Sequence, residues 1–194
     1  MIESKDDLRM YLKADKARMM RGGIPTLKDW ILKNEKWYVR RYLIHLRYIE
    51  YYQNCMPKWG VAKKMLSLVP YLYHFIRYKR IGFDLRYKIP PNTVEAGVIV
   101  YHTGDMVRVQ DTCRIGKNCT LRPGVVFGRK GIQPDPEPVK VGDNCEFGVG
   151  ARIIGSVKIG NNVTVGANCV VTHDIPDNAV VAGIPAKVLR YKQL

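Results

Sequence analysis

Residues 141–171 read VGDNCEFGVGARIIGSVKIGNNVTVGANCVV, and a small or branched apolar side chain returns in this stretch at every sixth position. A second apolar series runs two residues behind the first, and glycine often follows it. Neither the 3.6-residue period of a helix nor one long alternating strand gives a spacing of six. Short strands that turn corners around a shared interior do give it, so the stretch predicts a solenoid in which each hexad supplies one side of a coil.

The six-residue spacing extends from residue 113 to residue 175, with one break. The first series consists of Cys113, Cys119, Val125, Cys145, Ala151, Val157, Val163, Cys169 and Ile175. The second consists of Ile115, Leu121, Phe127, Val141, Phe147, Ile153, Ile159, Val165 and Val171. Glycine and asparagine suit the corners, because they accept backbone angles that other residues resist. One coil cannot bury its own apolar face, so we expect the coils to stack as parallel strands roughly 4.8 Å apart.

Three stretches resemble the hexapeptide-repeat acyltransferases. They are the repeat itself, the closing segment DNAVVAGIPAKVLR (177–190), and IPPNTVEAGVIVYHTG (89–104), which is similar to the branch that contains serine acetyltransferases and polysaccharide O-acetyltransferases. The resemblance covers about half of the chain and implies a left-handed parallel β-helix. We therefore predict a mainly β fold, with a left-handed β-helix acyltransferase domain at 86–194 and a small basic α-helical N-terminal region at 1–85.

The N-terminal region lacks the six-residue spacing. Apolar and aromatic residues recur there at spacings of three and four over 31–52 and 62–78, as amphipathic helices require. The glycines and proline of 22–25 predict the end of an earlier helix.

Charge is concentrated in the same region. Residues 1–90 hold 20 Lys and Arg against 8 Asp and Glu, a net charge of +12 out of +15. Such a surface can attract an anionic membrane face, a lipid-linked glycan or nucleic acid, although a solvated helix face is the plain alternative. Residues 70–80, PYLYHFIRYKR, are the best candidate for membrane contact, and an oligomer interface would use the same aromatics. Nucleic acid is the partner we least expect.

The N-terminal sequence MIESKDDLRM is charged, and no stretch approaches the roughly 20 apolar residues that cross a bilayer. We therefore expect no signal peptide and a cytoplasmic protein, with peripheral contact at the inner membrane face left open. Four of the five cysteines belong to the first apolar series, which predicts core packing instead of disulfides or metal ligands. Cys55 alone lies outside it.

His102 is the candidate catalytic residue. An isolated histidine is weak evidence, but the resemblance places the catalytic histidine of these transferases at this position. A neutral imidazole can take the proton from an acceptor hydroxyl as that oxygen attacks the thioester carbonyl of acetyl-CoA. Backbone N–H groups would stabilise the resulting oxyanion. The group that orients the imidazole stays open: Tyr87 stands where the serine-using relatives have Asp, and Asp84, Glu95, Asp105, Asp111 or a backbone carbonyl are alternatives.

The resemblance also implies a homotrimer in which CoA lies along the solenoid between subunits, so that His102 of one subunit faces the CoA groove of the next. The matching cofactor-binding positions are Val149, Ala167, Thr172, His173, Lys187 and Arg190. Lys187 and Arg190 would meet the CoA phosphates. Ordinary coil packing is the alternative for Val149 and Ala167, and a solvated terminal cation is the alternative for Lys187.

The repeat breaks after Phe127, because the next member of its series is fourteen residues away instead of twelve. The loop at 129–138 must leave the coil, and in the resembling family such loops overhang the active site. Its substrate candidates are Arg129, Lys130 and Glu137. Serine acetyltransferases have an Arg-His pair here that suits a carboxylate, whereas Glu137 would repel one unless Arg129 and Lys130 compensate. An exposed connector without a substrate role is the alternative.

These features predict an acetyl-CoA-dependent O-acetyltransferase. We favour a sugar hydroxyl of a surface or capsular polysaccharide precursor as the acceptor, because Glu137 and Tyr87 depart from the serine enzymes and the N-terminal region is short. Serine O-acetyltransferase is the alternative, and a non-catalytic basic β-helix that binds a partner is an alternative of another class. The repeat region holds only two histidines, His102 and His173, so we expect no metal.

Overall fold

A computed structural model describes residues 1–19, 31–32, 34–131 and 137–193. It begins with helices α1 (Lys5–Met19), α2 (Glu35–Cys55) and α3 (Val61–Leu85), with a short 3-10 helix at Met56–Lys58. The side chain of Asn34 caps α2 by accepting a hydrogen bond from the backbone N–H of Lys36 at 3.1 Å. Both predicted amphipathic helices are present: α2 starts and ends later than the predicted 31–52, and α3 extends beyond the predicted 62–78 at both ends. The predicted break at 22–25 lies outside the described residues.

Short strands follow the helices. They are β1 (Tyr87–Lys88), β2 (Ile99–Val100), β3 (Val107–Arg108), β4 (Arg114–Ile115), β5 (Thr120–Leu121), β6 (Val126–Gly128), β7 (Lys140–Val141), β8 (Glu146–Phe147), β9 (Arg152–Ile154), β10 (Lys158–Ile159), β11 (Thr164–Val165), β12 (Val170–Val171), β13 (Ala179–Ala182) and β14 (Lys187–Tyr191). Most contain two or three residues, as expected for a chain that turns a corner every hexad.

The strands form three sheets, ordered β1-β3-β6-β9-β12, β4-β7-β10 and β2-β5-β8-β11-β13-β14. Every pairing is parallel except that of β13 with β14, which closes the solenoid. From β2 to β12, successive strands visit the three sheets in rotation, so each coil is one turn of a three-sided prism. Isolated bridges at Val94 and Ile175 continue the second sheet in the first and last coils. The predicted left-handed parallel β-helix is confirmed.

Both apolar series point into the prism, and every member is at most 7% exposed. Asparagines with positive φ turn one set of corners: Asn118, Asn144, Asn162 and Asn178. The backbone N–H of each donates to a carbonyl of the preceding coil, which joins the corners into a ladder. All five cysteines are free and buried, so the core-packing prediction for the four repeat cysteines agrees with the structure.

The helices pack on the first coil and share its core. Tyr42 of α2 stacks on Tyr78 of α3 with ring centroids 5.1 Å apart, and its ring edge meets Tyr87 of β1. The side chain of Arg47, on α2, is fully buried. Its guanidinium donates to Asp15, to Glu50 and to the backbone carbonyls of residues 94 and 95. These contacts fix the helices relative to the start of the solenoid.

The predicted loop lies where the repeat breaks. β6 ends at Gly128 and β7 begins at Lys140, so the predicted loop falls between these two strands. Residues 132–136, which include two of the prolines expected to stiffen the loop, lie outside the described residues.

Candidate active site

His102 occupies the corner that follows β2. Its φ of +55° lies in the left-handed region, which residues other than glycine seldom adopt. The hydroxyl of Tyr87 donates to the backbone carbonyl of His102 at 2.7 Å and helps to hold this conformation. About two thirds of the His102 side chain is exposed, so the imidazole is open to an incoming molecule.

A carboxylate from the helical region orients the imidazole. Nδ1 of His102 lies 2.9 Å from Oε1 of Glu35, the first residue of α2. The second carboxylate oxygen of Glu35 accepts a hydrogen bond from the backbone N–H of Thr103 at 3.0 Å. Because Nδ1 faces a carboxylate, its proton stays there and Nε2 keeps the lone pair that a general base needs.

Glu35 stays ionised in this setting. Burial raises the pKa of its carboxyl, but the hydrogen bonds from the Thr103 N–H and from His102 lower it more, so the pKa lies below the ordinary value of 4.5. The positive end of the α2 dipole also favours a carboxylate at the first helical residue. The Glu35 carboxylate therefore presents a negative charge to Nδ1 of the imidazole at neutral pH.

Within the described residues, the imidazole ring hydrogen-bonds to Glu35 and to none of the orienting groups considered from the sequence. Tyr87 bonds to the backbone of His102 instead of its ring, Glu95 accepts from the hydroxyl of Tyr11, and Asp105 accepts from the N–H of Met106. Sequence reasoning missed Glu35, which precedes His102 by 67 positions. The available signal was an Asn-Glu pair at the start of a helical pattern, which marks a cap but does not indicate a catalytic partner.

A cavity of about 250 Å³ opens beside the imidazole. Its lining residues are Arg18, Met19, Glu35, Lys36, Val39, Ile99, Val100, Tyr101 and His102. Arg18 is held in place because its guanidinium donates to the carbonyl of Gly97 at 3.2 Å. The lining combines two cations and one carboxylate with an apolar floor, so it suits a small molecule that carries both signs of charge.

His102 stands at the head of one edge of the prism. The strands β2, β5, β8, β11 and β13 pair in register, which aligns Val100, Leu121, Phe147, Val165 and Val181. The residues two positions after these stack along the edge, and they are His102, Pro123, Val149, Ala167 and Gly183. Four strand spacings make this line about 19 Å long. We call it the His102 edge. Lys187 pairs with Ala182 and so lies at its far end.

The His102 edge offers backbone donors. Val149 and Ala167 are exposed, and among the described residues neither N–H donates to a protein acceptor. An extended ligand with amide carbonyls could therefore bind along the edge. Of the six positions predicted to bind the cofactor, the structure groups Val149, Ala167 and Lys187 on the edge that begins at His102. Arg190 lies nearby on β14, opposite Val180.

The other candidates lie on a different edge. The register of β6, β9 and β12 stacks Arg129, Gly155 and His173, with Thr172 one residue before the corner. Glu137 borders this second edge, because its N–H donates to Ser156 at 3.1 Å, and its carboxylate pairs with Lys140. The side chain of Lys130 lies beside Gly155. The loop candidates and His173 thus gather on one edge, and His102 and Val149 on another.

The family description "Bacterial transferase hexapeptide (six repeats)" matches residues 138–173. Over these residues the chain is similar to the bacterial hexapeptide-repeat transferases. This hexapeptide-repeat protein is 37% identical over 84 residues to a serine acetyltransferase of Staphylococcus aureus (strain Mu50 / ATCC 700699), a match that covers 43% of this chain and 39% of the relative. A serine acetyltransferase of Mycobacterium tuberculosis (strain ATCC 25618 / H37Rv) is 34% identical over 112 residues, covering 58% and 47%.

A solved structure of serine acetyltransferase in complex with coenzyme A from Brucella abortus strain S19 superposes with a TM-score of 0.68. The identity is 18%, and the match covers 97% of this chain and 70% of that one, which shows the shared fold. This hexapeptide-repeat protein spans less than half of the length of either sequence relative. Within the described ranges, no three His, Cys, Asp or Glu side chains cluster as metal ligands.

Proposed function

We propose that this protein is an acetyl-CoA-dependent O-acetyltransferase in which His102 is the general base. The observation that carries the proposal is the pairing of His102 Nδ1 with Glu35 at the head of an edge suited to an extended thioester. An ordinary corner needs neither a histidine nor a carboxylate brought from another element.

The chemistry follows from the orientation of the imidazole. Nε2 accepts the proton of the acceptor hydroxyl while the hydroxyl oxygen forms a bond to the thioester carbonyl carbon of acetyl-CoA. Glu35 stabilises the imidazolium that results, through the hydrogen bond at Nδ1. When the tetrahedral intermediate collapses, the carbon–sulfur bond breaks and the departing thiolate takes the proton from Nε2. The products are the acetyl ester and CoA, and His102 returns to its neutral form.

The His102 edge is the proposed seat of acetyl-CoA. The backbone N–H groups of Val149 and Ala167 would meet the amide carbonyls of the pantetheine arm, and Lys187 and Arg190 would meet the phosphates. The CoA complex of the Brucella abortus relative supports this choice of donor.

L-Serine is the acceptor that we favour, in place of the sugar that the sequence alone suggested. Both sequence relatives are serine acetyltransferases. The cavity beside His102 is smaller than the roughly 300–1,000 Å³ typical of drug-sized ligands, which suits an amino acid better than a glycan. Glu35 can face the ammonium group of serine, and Arg18 and Lys36 can face its carboxylate. Glu137, which argued against serine, pairs with Lys140 instead of lining this cavity.

A sugar hydroxyl is the second candidate acceptor. Tyr101 is exposed directly before His102, and Arg122 lies over its ring, 5.6 Å from the centroid. An exposed aromatic face beside the base is a surface on which the apolar face of a sugar ring can pack. The loop from Arg129 to residue 138, which contains Glu137, would then contact the acceptor from a neighbouring subunit.

A homotrimer would complete the site. His102 stands on one edge of the prism, and Arg129 and His173 stand on another. If three prisms pack side by side, the edge that carries Arg129 and His173 in each subunit can face the His102 edge of its neighbour. Thr172 and His173 would then reach CoA across the interface, which a single chain does not allow.

The test is release of CoA thiol from acetyl-CoA with L-serine, and separately with sugar acceptors, in the wild type and in His102→Ala. Lys117→Ala, at an exposed corner of the next coil, is the matched control. We expect turnover with serine that falls at least a thousandfold in His102→Ala, with CoA binding retained, and no change in the control. Turnover confined to sugars would favour the second candidate. Absence of CoA binding would contradict the proposed enzyme and favour a non-catalytic binding module. Thiol release that is unchanged in His102→Ala would contradict the role of His102 as general base.

A further inference from the structure

The outer face of α3 is apolar and bare. Met65, Val69, Leu72, Ile76 and Phe83 follow one another at spacings of four, three, four and seven, which places them in one line along the helix. They are 71, 75, 45, 61 and 85% exposed in that order. We call these five residues the α3 stripe. At about 1.5 Å per residue, α3 is about 37 Å long, so the stripe crosses most of one side of the helical region.

The stripe is not a by-product of core packing. The opposite side of α3 already supplies the core, through Tyr78, Ile81 and Leu85, which are buried against α2 and the first coil. A helix that is apolar on both sides is normally covered on both sides. Contiguous exposed apolar surface of this extent marks an interaction site. The described part of this chain leaves the α3 stripe exposed, so the stripe is a surface for a partner.

The charges around the stripe identify its partner. α3 carries five cations against the single carboxylate of Asp84. Lys79 and Arg80 are exposed beside the stripe, whereas Arg77 faces His45 of α2 and Lys63 lies over the ring of Trp59. Within the described residues, Lys79 and Arg80 form no ion pair. A second copy of this helix would bring cations against cations. An anionic surface would instead satisfy them.

Three more cations stand beside the C-terminal end of the stripe. Arg86, Lys88 and Arg108 line a cleft with Phe83, and none of the three forms an ion pair among the described residues. Lys88 and Arg108 are direct register partners on adjacent strands, where like charges destabilise a sheet unless an anion lies between them. Apolar side chains flanked by unpaired cations are the pattern of a helix that lies in a lipid headgroup layer.

We propose that α3 docks this protein onto an anionic membrane surface, with the α3 stripe inserted among the acyl chains and the surrounding cations against lipid phosphates. The helix lies in the plane of the surface: no helix in the described part of the chain is long and apolar enough to cross a bilayer. α3 leads directly into β1, whose Tyr87 holds His102, so the docked protein keeps its candidate active site close to the membrane. This inference stands whether the acceptor is serine or a sugar.

The experiment is cosedimentation of the full chain with vesicles of phosphatidylcholine alone and of phosphatidylcholine containing phosphatidylglycerol. Leu72→Ser with Ile76→Ser removes two side chains of the stripe, and Leu189→Ser, at an exposed apolar site on β14, is the matched control. Arg80→Glu tests the charge, with Lys117→Glu as its control. All five positions are exposed, so the variants keep the fold, which thermal unfolding checks.

We expect binding to the anionic vesicles only, weakened by salt. The double serine variant should bind about a hundredfold more weakly, because each buried methylene contributes to partitioning. Arg80→Glu should bind at least fivefold more weakly, because a cation near an anionic surface contributes about that factor. Both controls should bind like the wild type. Failure of the wild type to bind anionic vesicles would overturn the proposal. So would a double variant that binds normally but has a lower oligomeric mass in sedimentation equilibrium, which would make the stripe an interface between copies.

Discussion

The imidazole of His102 and the carboxylate of Glu35 meet at 2.9 Å, although 67 residues separate them along the chain. The two side chains come from different kinds of structure, a corner of the β-helix and the first turn of α2. The docking of the helices on the first coil therefore assembles the pair, and its contribution to the proposed acetyl transfer can be measured apart from that of His102.

Glu35→Gln should lower kcat about 10- to 100-fold, because the amide keeps a hydrogen bond but cannot stabilise the imidazolium as a carboxylate does. KM for acetyl-CoA should stay the same, since Glu35 does not lie on the His102 edge. Steady-state kinetics check this, with Glu146→Gln, an exposed carboxylate on β8, as the control. Equal kcat in the two variants would show that the His102–Glu35 contact has no part in catalysis.

Arg47 should be the most costly charge to remove. Its guanidinium is fully buried and bonded to Asp15 and Glu50, so Arg47→Ala leaves two buried carboxylates without their partner. We expect the free energy of unfolding to fall by about 3–5 kcal/mol in urea titration. Arg9→Ala removes an exposed pair with Asp6 and should cost less than about 1 kcal/mol. Similar losses in the two variants would contradict the structural role of the buried network.

Gly148 and Gly128 should respond differently to one added methyl group. A Cβ at Gly148 would lie 2.6 Å from the backbone N of Ala167 and 2.7 Å from the carbonyl carbon of Gly166, so two coils would have to separate. A Cβ at Gly128 would meet only side-chain atoms, the nearest at 3.5 Å. Gly148→Ala should lower stability by about 1–3 kcal/mol, while Gly128→Ala should change it little. Chemical denaturation measures both, and equal effects would refute the tight stacking at Gly148.

His45 should make stability depend on pH. Burial, together with His74, Arg41 and Arg77, lowers the pKa of His45 to about 4 from an ordinary 6.5. The unfolded chain therefore binds a proton between these values and the folded chain does not, so stability falls as pH falls from 6.5 to about 4.

His45→Leu should flatten the decline of the melting temperature over that range, because no histidine at this position remains to be protonated. His173→Leu replaces an exposed histidine and serves as the control. Scanning calorimetry at several pH values provides the comparison. A decline as steep in His45→Leu as in the wild type would assign the pH dependence to another group.

The solenoid could be predicted in detail because the position of a residue within its hexad decides whether its side chain points inward. The inward residues, the corner asparagines and the position of the loop all follow from a spacing of six, and the structure buries both apolar series. His102 was found through a motif that is local in sequence. Burial in a stacked coil depends on a residue's place in its own hexad, so a one-dimensional pattern is sufficient.

Only the tertiary structure decided the rest. Glu35 reaches His102 because α2 docks on the first coil, and no spacing along the chain encodes that contact. The register of the sheets groups Val149 and Ala167 with His102 and sends His173 to another edge. The sequence by itself determined a β-helix with a histidine at its entrance and a basic helical region before it. Which carboxylate orients that histidine, and which face of α3 stays bare, depend on contacts between distant elements, and those contacts exist only once the chain has folded.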